Sequence, residues 1–347
     1  MTKVTVIVPV YKVEKYLKTC FESLLHQTSK DFVVYAVNDG SPDNCLSIIR
    51  DYEKRYPELI RCFDKENGGY GSVLQIAIEQ TSTPYFLICD PDDTLEPAAV
   101  ETLVNLAEIS QADITIGAKL LMYEDSTLKE YDCSYNNEFV KLRNNTVYNK
   151  GTAAYNDLFF VNPSPHAKLY RRELAKDISF PHKVGYTDNL LFYISLLNAK
   201  KVIYTDIPLA NYLIDRRGNS MTDVSLRAMN GEIDVFNTII DQAAGCENVP
   251  DIFWYRMFAS FKFMLYQTRR LNCTVEEYEQ AMDHLETFLN RLIPYRDQIL
   301  NYYSTYEKTQ IVERFRDKAM LDSLTSKRMY GNLKKKMAKE FAEAKQA

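Results

Sequence analysis

From Lys3 to about residue 120, short runs of apolar residues alternate with longer stretches in which apolar positions recur every three or four residues. The runs Lys3–Pro9, Phe32–Val37, Leu59–Phe63 and Tyr85–Cys89 are rich in Val, Ile, Phe and Tyr and too short for helices, so they predict buried strands. The stretches Glu14–His26, Asp43–Tyr56, Ser72–Gln80 and Pro97–Ile109 carry the helical period. Repetition of this strand-helix unit predicts a mostly parallel α/β sheet with helices on its faces. Between 113 and 165 the β-like runs, Ile114–Met122 among them, shorten among Asn, Asp and Tyr, which predicts irregular sheet or excursion loops. From about residue 226 only the helical period remains, with Phe253, Met257, Phe258, Phe261 and Leu265 on one face and glycine confined to Gly231, Gly245 and Gly331. The change of period divides the chain into an α/β domain, 1–225, and an α-helical C-terminal domain, 226–347.

Composition narrows the classes. The 347 residues, 46% apolar and 26% charged, suffice for two globular domains. A net charge of −5, from 42 Lys+Arg and 47 Asp+Glu, gives no basic footprint for nucleic acid. No apolar stretch approaches the roughly 18 residues of a membrane span, and Met1-Thr2-Lys3 leads straight into a strand with no leader pattern. Seven cysteines, at 20, 45, 62, 89, 133, 246 and 273, form no Cys-x-x-Cys pair, as expected of reduced thiols in a cytoplasmic protein. The last 22 residues differ from the rest: seven Lys/Arg face two Glu, and Met329, Leu333, Met337 and Phe341 recur every four residues. This basic amphipathic helix could rest peripherally on anionic lipid at the inner membrane face or on an acidic partner, or simply pack on its neighbours.

In an open α/β sheet, ligands bind beyond the carboxyl ends of the strands, so the loops there hold the candidate chemistry. The first, Val8-Pro9-Val10-Tyr11-Lys12, has no glycine, which removes both the dinucleotide fingerprint and the P-loop. In Asn38-Asp39-Gly40-Ser41-Pro42-Asp43, Ser41 and Pro42 suit the start of the next helix, while Asp39 is free to turn the chain or to accept a ligand N–H such as that of uracil. The third loop, Asn67-Gly68-Gly69-Tyr70-Gly71, is either a simple glycine turn or a place where backbone N–H groups meet a phosphate or sugar hydroxyl. After the fourth strand, Cys89-Asp90-Pro91-Asp92-Asp93 offers Asp90 and Asp92 on one side as a hard-oxygen site for Mg²⁺ or Mn²⁺ with substrate phosphates, and Asp93 as a cap for the following helix.

Together, Val-Pro-Val-Tyr, Asn-Asp-Gly-Ser-x-Asp, Asn-Gly-Gly and Asp-Pro-Asp-Asp resemble, in order and spacing, the family 2 glycosyltransferases of GT-A fold, over about residues 3–222. The resemblance implies a Rossmann-like sheet that binds a nucleotide-diphospho-sugar, usually a UDP-sugar. It puts Pro9, Tyr11 and Asp39 around the base, Asn67 and Gly69 nearby, and Asp90 with Asp92 at ribose and metal. Pro165-His166-Ala167-Lys168-Leu169-Tyr170-Arg171 is similar to the family's Asn-Lys-Leu-Tyr-Arg segment, with Lys168 as a diphosphate contact and His166 as either a diphosphate or metal contact or a structural hydrogen-bonder, and Thr187-Asp188 sits where Glu-Asp usually does. Asp188 is thereby the expected catalytic base, although Thr187 or Asp188 would equally suit a helix cap. Arg216, Arg217 and Ser220 fall in a segment like the one that closes over the diphosphate.

Two positions depart from the family pattern: Val73-Leu74-Gln75 replaces Ala-Arg-Asn, and Thr187 replaces the Glu before the base. The expected activity is inverting, metal-dependent transfer of a sugar from a UDP-sugar to an acceptor hydroxyl. The acceptor would be a glycan or lipid-linked species in surface polysaccharide, teichoic-acid-like polymer or glycoconjugate assembly. A non-catalytic nucleotide-sugar-binding scaffold is the alternative the two departures favour, and a nucleotidyltransferase lacks its usual loop after the first strand. The helical domain could bind acceptor, join copies into a homo-oligomer or lean on the membrane.

Overall fold

The computed structural model describes residues 2–124, 127–216, 225–306 and 327–346. The chain forms two compact units, Met1–Met221 and Thr222–Ala347. The first is built on a ten-stranded sheet. Four parallel strands, β1 (Val4–Val10), β2 (Phe32–Asp39), β3 (Ile60–Lys65) and β4 (Tyr85–Ile88), stand in the order β3-β2-β1-β4. Their connections are the helices α1 (Glu14–Leu25), α2 (Cys45–Arg55) and α3 (Tyr70–Gln80). β1 is buried at all seven positions, as a strand covered on both faces must be. α1 turns Leu17, Cys20, Phe21 and Leu24 into the same core at one helical stripe.

Beyond β4 the sheet becomes mixed. β9 (Lys168–Arg171) runs antiparallel between β4 and β6 (Ile114–Met122), and β10 (Lys201–Leu213) lies parallel to β6. The two-residue β5 (Thr94–Leu95) pairs with β10 on the far edge, and α4 (Ala99–Ser110) follows it. The region expected to be irregular supplies three strands: β6, β7 (Lys129–Asp132) on β6, and β8 (Thr146–Asn149) on β10. Because β9 opposes β4 and β6, its beginning shares an edge with their ends. That edge collects the tips of β1, β2, β3, β4 and β6 with residues 164–168.

Two expected caps are differently employed. α2 begins at Cys45, so Ser41 lies ahead of it; the Ser41 hydroxyl accepts the Lys12 N–H at 2.8 Å and donates to Asp43, whose carboxylate meets the Cys45 N–H instead. Asp93 caps no helix either: α4 starts only at Ala99, and Asp93 is turned inward against β10.

The second unit contains α6 (Leu226–Ala243), α7 (Asp251–Gln267), α8 (Val275–Leu292), α9 (Arg296–Tyr306) and α10 (Lys327–Gln346), with α5 (Thr187–Asn198) belonging to the first. Ser225 caps α6 through the Ala228 N–H, and Thr274 with Glu277 closes a reciprocal capping box on α8. The α7 residues Phe253, Met257, Phe258, Phe261 and Leu265 are all fully buried, as their spacing required. In α10 the apolar stripe is turned toward α8: Met337 and Phe341 are buried, the Phe341 ring stacks on Tyr278 at 4.1 Å, and the Tyr330 hydroxyl donates to the Met282 carbonyl. The packing alternative for this helix thus accounts for its apolar side, while Lys335, Lys336 and Lys339 stay exposed. Among the described residues no helix is long and apolar enough to cross a membrane. Phe341→Ala should cost about 3 kcal/mol in urea unfolding of the full chain, the scale for removing a buried phenyl ring.

Candidate active site

The sheet opens where β1 and β4 diverge. Pairing between them ends at Ile7 with Ile88, after which Ile7 accepts only the Cys89 N–H. Pro9 faces the same side two residues on, so its missing N–H leaves no ladder bond unmade. Tyr11, just past the strand, is 42% exposed at this opening. Ligand crevices form at such a reversal of strand order.

The glycine loop is organised by Asp39. Its carboxylate, only 3% exposed at the tip of β2, accepts the N–H groups of Gly68 and Gly69 at 2.8 Å each. It also accepts the Asn67 amide and the Lys65 ammonium. The backbone donors expected to face a ligand are therefore spent on Asp39 itself. Lys65, which the sequence reading passed over, spans Asp39, the Glu66 carbonyl and the Ser72 hydroxyl. Its position at the carboxyl end of β3 was the available signal.

The acidic loop after β4 divides its work. Asp90 accepts the Tyr70 hydroxyl on Oδ1 at 2.9 Å, and Asp92 is held by Arg216. Asp93 is buried: Oδ1 accepts the Leu213 N–H and Oδ2 meets His166 Nε2 at 2.6 Å. Burial, reinforced by Lys119 and Lys168, holds the His166 imidazole well below its usual pKa. Burial and then Asp92 push the Asp93 carboxyl well up. Asp90 rises well above the carboxylate range as well, through burial first and then the charges of Asp93, Asp92 and Asp188.

Ligand atoms of Asp90, Asp93 and His166 all lie within 4.8 Å of one another, the geometry of a cation site. Asp93 and His166 spend Oδ2 and Nε2 on each other, while Nδ1 of His166 is buried with no hydrogen-bond partner among the described residues. Among the described residues nothing bonds Oδ2 of Asp90 or Oδ1 of Asp92. Two open hard oxygens in a crowd of like charges fit a divalent ion.

His166 and Lys168 do not reach out as diphosphate contacts would. His166 is 6% exposed, and Lys168, 1% exposed, donates inward to the Ser164 carbonyl. Burial holds the Lys168 ammonium well below its usual pKa. Arg217 and Ser220 lie outside the described residues.

Asp188 stands in the first turn of α5, which starts after Tyr186 without a side-chain cap. Burial pushes its carboxyl up to about 6, while the backbone N–H groups of Asn189 and Asp188 and then the charge of Lys168 pull the other way. What brings it here is the glycine loop. A β-carbon on Gly69 would come 2.9 Å from the Lys183 backbone, and one on Gly71 would strike the Pro181 carbonyl and crowd Thr187. The Lys183 N–H donates to the Gly68 carbonyl at 2.6 Å, and Gln75 accepts the Phe180 N–H. Both departures from the family pattern fall in this contact. Val73 and Leu74 are buried, where a cation would be stranded, and Thr187 is fully buried against Gly71.

Sheet order and acidic edge define a GT-A-type α/β fold, and the comparisons agree. The family model for glycosyl transferase family 2 matches residues 5–179, half of the chain. The chain belongs to that family. It is 30% identical over 219 residues to the Streptococcus pneumoniae glycosyltransferase GlyA, covering 62% of this chain and 31% of the relative. It is 26% identical over 310 residues to a poly(ribitol-phosphate) beta-glucosyltransferase of Bacillus spizizenii, covering 86% and 46%. The chain thus spans less than half the length of either relative. The crystal structure of S. aureus TarS 1-349 with UDP-GlcNAc superposes with a TM-score of 0.69 over 92% of this chain and 91% of that one, at 20% identity.

The raised pKa of Asp188 has a thermodynamic consequence. Its folded form binds a proton more tightly than the unfolded chain, whose value is near 3.8, so it favours folding least above pH 6. Asp188→Asn should therefore be more stable than the parent at pH 7–8, with the advantage shrinking between about pH 6 and 4 in unfolding titrations.

Proposed function

We propose that this chain is an inverting glycosyltransferase that moves a sugar from a UDP-sugar to an acceptor hydroxyl in cell-surface polymer or polysaccharide assembly. The observation that carries the reading is the gathering of Asp90, Asp92 and Asp188 at one sheet edge, each within electrostatic reach of Asp90. Tyr11 offers an exposed ring to a base at the β1/β4 opening, above the floor that Asp39, Asn67 and Gly69 build together. Asp90 and Asp92 serve ribose and metal. A divalent ion there, Mn²⁺ or Mg²⁺, supplies charge neutralisation for a departing diphosphate. Arg216, now on Asp92, is the guanidinium at hand for the phosphate oxygens.

Asp188 acts as general base. It accepts the proton of the acceptor hydroxyl as that oxygen attacks the anomeric carbon opposite the diphosphate. A carboxyl raised to about 6 is matched to this task near neutral pH, because it is ionised yet still basic. A poly(ribitol-phosphate) glucosyltransferase among the relatives favours a polyol-phosphate or glycan acceptor. Seven free thiols suit a cytoplasmic setting.

A UDP-release screen across nucleotide-sugars, with and without Mn²⁺, tests the proposal. Asp92→Asn should abolish metal-dependent turnover. Asp188→Asn should retain donor binding while transfer falls roughly 10²–10⁴-fold. In the parent, kcat should rise with pH through about 6 and then level, since only the ionised carboxylate accepts the proton. Normal turnover by either variant overturns the role assigned to it.

A further inference from the structure

Tyr70 opens α3 between Gly69 and Gly71, and it is absorbed by none of the roles above. Its hydroxyl donates to Oδ1 of Asp90 at 2.9 Å and is the one side-chain donor on that carboxylate among the described residues. The two flanking glycines are the positions at which a β-carbon would meet the Lys183 backbone and the Pro181 carbonyl. The first turn of α3 is thus pressed against the segment leading into α5, with the phenol on Asp90 and within electrostatic reach of Asp188.

We propose that Tyr70 is a positioning residue of the donor site, whose phenol fixes the Asp90 carboxylate so that Oδ2 stays available to the nucleotide and its cation. This rests on the donor-binding reading given above. One carboxylate oxygen engaged by a neutral donor leaves the other to a ligand and adds no charge of either sign to the cluster. A Lys in this place would form an ion pair and compete with the cation, whereas Phe would leave the carboxylate free to turn. A phenol is uncharged near neutral pH and so stays a donor there.

The test is calorimetry of UDP binding with Mn²⁺ on the full chain. Tyr70→Phe keeps the ring, and with it the packing between α3 and α5, and removes only the donor. It should weaken UDP–Mn²⁺ binding about tenfold, the scale of one hydrogen bond to a charged group. On an Asp90→Ala background the same change should cost almost nothing further, because the acceptor of the bond it removes is already gone. Binding by Tyr70→Phe within about twofold of the parent, or an equal loss on both backgrounds, overturns this role alone. A parent chain that binds no UDP at all overturns the transferase reading and this role with it.

Discussion

The site depends on one close approach, that of the α3 start to the segment 180–187. Two helices ordinarily stand 8–10 Å apart on their side chains. Here Gly69 and Gly71 remove the side chains that would hold the backbones apart, and the Lys183 N–H closes onto the Gly68 carbonyl. The glycine-rich loop is therefore chiefly a packing device. It brings a carboxylate from α5 to the edge where β4 delivers its own, although the two are about a hundred residues apart in sequence.

That convergence creates an electrostatic problem. Burial first, and then the charges of Asp93, Asp92 and Asp188, push Asp90 up, and burial followed by the charge of Asp92 does the same to Asp93. The chain relieves it in three ways. Asp93 is held by His166 and the Leu213 N–H, Arg216 holds Asp92, and Asp39 is saturated by Lys65, Asn67 and two backbone donors. Asp90 alone has only the Tyr70 hydroxyl. The acid least compensated by the protein is the one from which ligand binding has most to gain.

Much of this was legible in the sequence because the period of the apolar residues is set by local geometry. β1 to β4, α1 to α4 and the buried face of α7 all sit where the pattern put them. β7 and β8 did not announce themselves, since they are short, half-exposed strands whose pairing is decided by β6 and β10. At the site, Asp39, Asp90 and Asp92 could be singled out by their place after strands, and Asp188 only through the family resemblance. Their partners could not. That His166 and Lys168 would point inward depends on where β9 inserts between β4 and β6, and pairing of strands so far apart in the chain leaves no local mark. Lys65 and Tyr70 escaped notice for a related reason: beside three glycines they read as loop filler.

The clasp between Asp93 and the end of β10 reaches further than its size suggests. The Leu213 amide is pinned to a buried carboxyl, and Arg216 follows three residues later. A fully extended chain of that length spans roughly 10 Å, so the guanidinium swings on a short leash. The tether keeps it in the neighbourhood of the acidic loop, so a ligand that takes its place on Asp92 finds a positive charge close by.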